Sequence, residues 1–323
     1  EIQGLDQSEY TTHNTFAQLV LDRAARQRRD ERWVRERLYE PSTRFVAIRD
    51  SKVLVSDESL PRPILLRLQD AEPLLRGEEP PVLLGETTGR TYFAVAVTER
   101  EGAVPPPARR GEFCSLRKVA ELLEKGEAGL LAYAKAMITW HQRHQYCGDC
   151  GSATRSTHGG HLRVCMNEQC GRHHFPRTDP AIIVRVTHGN RCLLGRQPGW
   201  PEGFYSIIAG FVEPGEDLEA AVVREVREET GVQITDIRYH SSQPWPFPSS
   251  LMLGFTARAT DPAIRLHDGE LEDARWLSRR SIVNKLRQGA LQLPSEISIS
   301  HRLIEDWFDA GESGSLQAVL EAV

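Results

Sequence analysis

The 23 residues from Gly210 to Val232, GFVEPGEDLEAAVVREVREETGV, constrain this chain more than any other segment. Pro214-Gly215 reads as a turn, and the run that follows recurs in apolar residues at helical spacing, so a helix is expected from about Leu218 to Thr230. Gly231 then stops it as a C-cap. On that helix Glu225, Glu228 and Glu229 fall at i, i+3 and i+4, which share one face. Three like charges on one face repel, so the arrangement does not serve helix stability. Carboxylate oxygens in such a group suit a hard divalent cation such as Mg²⁺, which also pairs with phosphates. A solvated acidic helix would need no such spacing.

The stretch resembles the signature of the Nudix hydrolases, which cleave a nucleoside diphosphate linked to another group. Their pattern, Gly-x5-Glu-x7-Arg-Glu-U-x-Glu-Glu-x-Gly-U with U a bulky aliphatic residue, is met at Gly210, Glu216, Arg224, Glu225, Val226, Glu228, Glu229, Gly231 and Val232.

A second cluster precedes it. Of six cysteines, four form two close pairs: Cys147 and Cys150 in YCGDCG, Cys165 and Cys170 in VCMNEQCGR. Four thiolates with adjacent glycines match a structural tetrahedral Zn²⁺ site, one ion per chain, with redox-active cysteines as the rival reading. The four-residue spacing of the second pair stays within the range used by zinc ligands. His173 and His174 read as ordinary loop residues rather than replacement ligands. Cys114 and Cys192 read as inert small hydrophobes. A closed four-sulfur site leaves no open position for chemistry.

The third motif is SQPWPFPSS, Ser242 to Ser250, in which prolines alternate with Trp245 and Phe247. Such a segment is expected to be stiff and extended, a strip suited to stacking on planar bases; an aromatic core edge is the plainer alternative. Zinc ribbon, Nudix signature and a Ser-Gln-Pro-Trp-Pro-Phe-Pro-x-Ser array, in that order, resemble the NADH pyrophosphatase subfamily of Nudix hydrolases. The resemblance covers about Gln142 to Asp309. It implies Glu225, Glu228, Glu229 and Glu270 as the catalytic, Mg²⁺- or Mn²⁺-binding carboxylates. It implies Phe175 and Phe211 as a clasp for the nicotinamide ring. Gln243, Pro244, Trp245, Pro246, Phe247, Pro248, Ser249, Ser250, Ala209 and Ser300 are implied as further substrate-lining positions. Phe175 stands where a tyrosine is expected, and Gly160 where a substrate-contacting glutamate is expected. Arg224 is read as orienting a glutamate through a bidentate pair, Glu216 as fixing the loop before the helix, and Gly210 as permitting close backbone approach.

The expected fold class is α/β (α+β): a Nudix α/β/α sandwich preceded by a zinc ribbon and a small β-rich domain. Residues 1–114 are assigned to the β-rich domain, 115–142 to a helical connector, 143–177 to the ribbon and 178–323 to the Nudix domain. In the first of these a helix is expected near Phe16 to Tyr39 and strands at FVAIRD, KVLVS, ILLRL and TYFAVAVTE, with Pro105, Pro106 and Pro107 as a stiff linker. A hairpin is expected around Gly189-Asn190.

The implied activity is hydrolysis of NAD(H) to nicotinamide mononucleotide and AMP, with removal of NAD caps from RNA 5′ ends as the same chemistry on a larger substrate. ADP-ribose and other nucleoside diphosphate derivatives are the alternative substrates. A zinc-ribbon RNA-binding protein without catalysis is the alternative class. A net charge of −5 argues against a surface built wholly for nucleic acid. No 18-residue apolar run exists, so no membrane span is expected. The chain opens at Glu1 rather than Met, which points to a trimmed N-terminus, and EIQGLDQSEY has neither the basic nor the apolar region of a signal peptide. A cytoplasmic homodimer is expected, the dimer from the resemblance alone.

Overall fold

The computed structural model describes residues 14–19, 21–76, 80–97, 111–266 and 269–323. They divide into two compact units: Phe16–Thr178 with Trp245–Ser249, and Asp179–Pro244 with Ser250–Val323, Asn14 and Thr15. The expected linker at Pro105 to Pro107 lies outside the described residues.

In the first unit, β1 (Arg44–Arg49), β2 (Lys52–Ser56), β3 (Leu65–Leu66), β4 (Val82–Thr87), β5 (Arg90–Ala96) and β6 (Gly111–Cys114) form a sheet ordered β4-β5-β1-β2-β6, with β3 beside β1. Phe45 to Ile48 are buried without a break, as a strand covered on both faces requires. Phe45, Ala47, Leu54 and Phe93 face a core shared with Trp33, Val34 and Leu38 of α1 (Glu31–Leu38) and Ala71 of α2 (Leu68–Ala71). Two further helices follow, α3 (Leu116–Val119) and α4 (Lys125–Arg143). The latter lies across β1, β2, β4 and β5 and covers the opposite face, where Val46 and Ile48 are buried. Hence α4 packs as part of the β-rich domain rather than standing as a connector between domains.

Three local expectations change. The helix expected from Phe16 begins only at Glu31, because Phe16 and Ala24 have φ of 71° and 48° and Asp30 caps the first turn, accepting from Arg32 N and Trp33 N at 2.9 and 3.2 Å. The helical run from Ser115 breaks between Val119 and Lys125. Of ILLRL only Leu65 and Leu66 join the sheet, while β4 and β6 were not anticipated.

The ribbon strands β7 (Thr154–Thr157), β8 (Leu162–Cys165) and β9 (His173–His174) form a small antiparallel sheet in that order. His161, just before β8, donates through Nε2 to Leu83 O (2.7 Å) and accepts at Nδ1 from Arg28 Nη1 (3.0 Å), which fixes a neutral ring. His141 of α4 meets Gly160 O (2.8 Å) and Arg163 Nη1 (2.8 Å).

The second unit is a sandwich. Its strands β10 (Asp179–His188), β11 (Arg191–Arg196), β12 (Ile208–Phe211), β13 (Ile234–Trp245), β14 (Ser250–Ala259) and β15 (Asp273–Ser278) are ordered β13-β14-β10-β11-β15, with β12 beside β10. The expected hairpin at Gly189-Asn190 joins β10 and β11, and β10 pairs parallel with β14. Alternation along β10 sends Ile182, Val184 and Val186 against Ala221, Val222 and Val226 of α5 (Leu218–Thr230). Ile183 points the other way, to a core with α6 (Arg279–Arg287), α7 (Ile299–Asp309) and α8 (Leu316–Glu321). Among the described residues no helix is long and apolar enough to cross a membrane.

Burial, assisted by the charges of Arg28, Arg23 and His141, lowers His161 to about 4, whereas the free side chain titrates near 6.5. The unfolded chain therefore takes up a proton between those values that the folded chain refuses, so stability falls as pH drops through that window. Acidification from pH 7 to pH 5 is expected to cost roughly 2 kcal/mol at this site. Urea unfolding at the two pH values measures it. His161→Gln should flatten the pH slope, and an unchanged slope in that variant would count against the assignment.

Candidate active site and metal centre

The segment expected to carry chemistry folds as the sequence dictates. Asp217 caps α5, accepting from Ala220 N at 2.7 Å, and Gly231 ends it in the left-handed region at φ 69°, donating to Arg227 O at 2.9 Å. The apolar face of α5 is pinned to the sheet, so Arg224, Glu225 and Glu228 are held on the side turned toward the loop at Glu213–Glu216.

Arg224 organises that side. Its Nε and Nη2 meet the two oxygens of Glu216 at 2.8 and 2.9 Å, the bidentate pair anticipated. Nη1 reaches Glu225 Oε1 at 2.8 Å and Glu228 Oε2 at 3.1 Å, and Nη2 also donates to Phe211 O at 2.9 Å. Glu216 in turn accepts from Glu213 N at 3.1 Å and so closes the loop before the helix. Arg224 holds Glu216 below the usual carboxylate range, and its own pKa rises. Glu225 moves the other way: burial raises it, Arg224 opposes that, and the charges of Glu270 and Glu228 add to the rise. One guanidinium faces three carboxylates, and Glu229 lies beside them only 2% exposed. The local charge stays negative.

Gly210 on β12 explains its own identity. A Cβ there would fall inside the Glu225 carboxyl group, so the close approach is specific to that side chain. Glu270 is exposed, ahead of β15. Among the described residues, the four cysteines are the only group of three or more His, Cys, Asp or Glu side chains whose ligand atoms lie within 4.8 Å of one another. Glu225, Glu228, Glu229 and Glu270 stand wider apart than that. The Arg224 guanidinium is bonded to both Glu225 and Glu228.

The cysteines are drawn in tightly. Cys147 and Cys170 Sγ are 3.8 Å apart and Cys150 and Cys165 Sγ 3.4 Å apart, too far for disulfides. Sulfurs at the corners of a tetrahedron around Zn²⁺, each about 2.3 Å from it, are separated by about 3.8 Å, so the donor set and its spacing fit that ion. Each knuckle turns on a left-handed glycine: Gly151 at φ 74°, donating to Cys147 O, and Gly171 at φ 53°, donating to Asn167 O. His173 and His174 lie outside the cluster. Cys192 is buried and pushed up to about 12, and Cys114 to about 11 by burial and the neighbouring Glu112, so both thiols are inert as expected.

The proline-rich motif departs from expectation. The strand ends at Trp245 and residues 246–249 turn, with Phe247 N donating to Trp245 O at 2.7 Å. The strip is therefore folded back, not extended. Trp245 and Phe247 pack edge to face at 5.1 Å, and both touch Phe16 at about 6 Å between ring centres. Arg117 stands over Phe247 at 4.5 Å and Trp245 at 5.3 Å, and Lys135 Nζ over Phe247 at 4.9 Å while donating to Pro246 O. Neither cation was singled out from the sequence. The available signal was Lys135 itself, a lone charge within the apolar run GLLAYAKAMI. Pro244 and Pro248 are exposed, Ser249 is half-buried and Ser250 is buried at the start of β14.

Two other anticipated substrate residues are engaged inside the protein. Gln243 accepts from Ile299 N at 2.8 Å and donates to Ile297 O and Thr15 O at 2.6 and 3.0 Å, fastening the start of α7. Ser300 is buried, its hydroxyl 2.7 Å from Ser206 Oγ. Ala209 is half-buried on β12. Phe211 and Phe175 are 60% and 66% exposed, a large aromatic area for single side chains. Gly160 has φ of 92°, and a Cβ there would lie 2.8 Å from Val82 Cγ1, which is why no glutamate fits at that position.

Comparison with known proteins matches three families along the chain: the NADH pyrophosphatase-like rudimentary NUDIX domain over residues 42–140, the NADH pyrophosphatase zinc ribbon domain over 142–175 and the NUDIX domain over 176–295. The NAD-capped RNA hydrolase NUDT12 of Homo sapiens is 34% identical over 91% of this chain and 73% of that protein. The chain belongs to the Nudix hydrolases, in the NADH pyrophosphatase subfamily. This Nudix hydrolase is also similar to the NAD-capped RNA hydrolase NudC of Pseudomonas aeruginosa, 44% identical over 59% of the chain and 65% of that protein. NudC of Mycobacterium bovis is 38% identical over 72% of the chain and 77% of that protein. The first family spans β1 to α4, which places the helix with the β-rich region, as its packing does.

Metal analysis of the Nudix hydrolase purified without chelator should return one zinc per chain. Cys165→Ser should lose that zinc and lower the thermal midpoint by several degrees, since structural zinc binding contributes to folding free energy. Wild-type protein free of zinc and carrying two disulfides by mass spectrometry would refute the ribbon site.

Proposed function

We propose that this Nudix hydrolase cleaves the pyrophosphate of NAD(H) to nicotinamide mononucleotide and AMP, and that it removes NAD caps from RNA 5′ ends by the same reaction. The observation that carries the reading is the set of carboxylates on α5 held by a single guanidinium, in a chain similar over most of its length to NAD-capped RNA hydrolases.

Glu225, Glu228, Glu229 and Glu270 are the residues proposed to hold Mg²⁺ or Mn²⁺. Their oxygen donors and the uncompensated negative charge around Arg224 suit such an ion. When bound, the divalent cation neutralises the diphosphate and activates the attacking water. The chain's own part is positional and protolytic. Arg224 fixes the orientation of Glu225 and Glu228 while tying the loop through Glu216. Water attacks one phosphorus, the bridging P–O bond breaks, and a carboxylate takes the water's proton. Glu228, Glu229 and Glu270 are the candidates for that base. Phe175 and Phe211 are proposed to stack on the nicotinamide ring, and their exposure supports that role. The Pro244–Ser250 segment is proposed to shape the substrate site through a rigid turn, with Gln243, Ala209 and Ser300 supporting it. A homodimer, supported by the family resemblance, and a cytoplasmic setting complete the reading.

The test is product analysis on NADH and on NAD-capped RNA with Mg²⁺ or Mn²⁺. Nicotinamide mononucleotide with AMP, or with 5′-monophosphorylated RNA, is the expected outcome. Glu229→Gln should reduce kcat by about a hundredfold or more with the fold intact. Undiminished turnover by that folded variant, or cleavage of ADP-ribose in preference to NADH, would overturn the assignment.

A further inference from the structure

Of the four carboxylates proposed to meet a divalent cation, Glu270 alone is not carried by a helix. It stands on the loop before β15. Its charge nevertheless reaches Glu225 on α5, where it helps raise the carboxyl pKa. A carboxylate on a loop serves a cation only if its neighbours hold it in place. The next three residues supply that hold.

Leu271 is buried and packs on Gly195 of β11, where a Cβ would come within 2.8 Å of Leu271 Cδ1. Glu272 is tied twice to Arg196, the last residue of β11. Its N–H donates to Arg196 O at 2.9 Å, and its carboxylate accepts from Arg196 Nε. Asp273 pairs with Arg196 in the β11–β15 register and accepts from the Tyr205 hydroxyl at 2.5 Å.

The same guanidinium also reaches the loop between β11 and β12. Nη2 donates to Trp200 O at 2.7 Å, and Nη1 donates to Pro201 O and, at 3.4 Å, to Phe204 O. Four acceptors thus occupy a fork of five N–H donors. Arg196 is spent on the protein and is not a cation held ready for substrate phosphate. Its side chain is only 14% exposed, so the bond to Glu272 is less screened than an ordinary surface pair. A lysine offers a point charge on a flexible stem and cannot meet the carboxylate and the carbonyls together.

We propose that Arg196 is a positioning residue for Glu270. By fastening Glu272 and the Trp200–Phe204 loop to the end of β11, it sets where Glu270 stands relative to α5, and so how well the carboxylates gather a divalent cation. The inference rests on the proposed role of Glu270 and adds a residue outside the proposed catalytic and substrate-lining sets.

The experiment compares wild type with Arg196→Lys, Glu272→Gln, Glu270→Gln and the double variant Arg196→Lys/Glu270→Gln, all zinc-loaded and checked for thermal midpoint. Titration with Mn²⁺ in the absence of substrate, followed by the electron paramagnetic resonance signal of the free ion, reads binding directly. NADH hydrolysis as a function of Mn²⁺ and of NADH reads function. Arg196→Lys should weaken Mn²⁺ binding by about tenfold or more and raise the Mn²⁺ needed for half-maximal rate to match, with KM for NADH unchanged at saturating Mn²⁺. Glu272→Gln, which keeps the backbone tie, should weaken Mn²⁺ binding by about threefold. Glu270→Gln should weaken it at least as much as Arg196→Lys, and adding Arg196→Lys to it should change binding by less than about twofold, because both act through one carboxylate. A lower thermal midpoint with unchanged Mn²⁺ affinity, or the same loss whether or not Glu270 is present, would mark Arg196 as merely structural and overturn the positioning role while leaving Glu270 in its set. Should Arg196→Lys not fold, Glu272→Gln alone and combined with Glu270→Gln makes the same comparison. Wild-type Mn²⁺ binding by Glu270→Gln would instead refute the proposed role of Glu270, and the positioning role with it.

Discussion

One guanidinium sets the geometry on which the catalytic proposal depends. Arg224 joins Glu216 in the loop, Glu225 and Glu228 on α5 and the backbone of Phe211 on β12. Without it the acidic side chains would repel and the loop would lose its link to the helix. With it they are held in a fixed order yet remain short of positive charge. That shortage is the useful quantity: a fully neutralised cluster would not attract a cation, and an uncompensated one would not keep its shape. Charge-assisted bonds of this kind are roughly twice as strong as neutral ones, and the half-buried position of Arg224 shields them from solvent screening.

The zinc ribbon solves a different problem by similar means. Thirty-odd residues cannot build a core able to fix two knuckles and three short strands. The four thiolates meeting at one point stand in for that core. Buried polar bonds extend the order outward, from Arg163 to Thr154 and His141, and from His141 to the carbonyl of Gly160. A group of oxygen donors and a cluster of sulfur donors thus coexist in one chain, and they differ in the kind of cation each would favour.

Much of this was legible in the residues. The bounds of α5 followed from its turn, its apolar period and its terminal glycine, and the cysteine pairs named their own neighbours. The α/β/α layering followed from resemblance, and the alternation along β10 supplies its physical basis. What was hidden depended on partners distant in sequence or on unusual backbone angles. The Arg-rich stretch before Asp30 is composed of good helix formers, and nothing local announces left-handed Phe16 and Ala24. The proline-rich segment looked extended because proline favours that state; its cation partners, Arg117 on α3 and Lys135 on α4, lie more than a hundred residues earlier. Gln243 and Ser300 carried resemblance to substrate contacts, yet the structure spends their hydrogen bonds on neighbouring segments. The spacing of the three glutamates on α5 was the subtlest point, since a shared helical face does not fix side-chain direction when an arginine reaches two of them.

The meeting of Gly210 and Glu225 has one more implication. The same small volume can hold either a methyl group on the strand or a carboxyl group from the helix, never both. Sheet and helix are thereby locked at a separation set by the size of one functional group, so the proposed reactive edge inherits its dimensions from backbone packing instead of from loop flexibility.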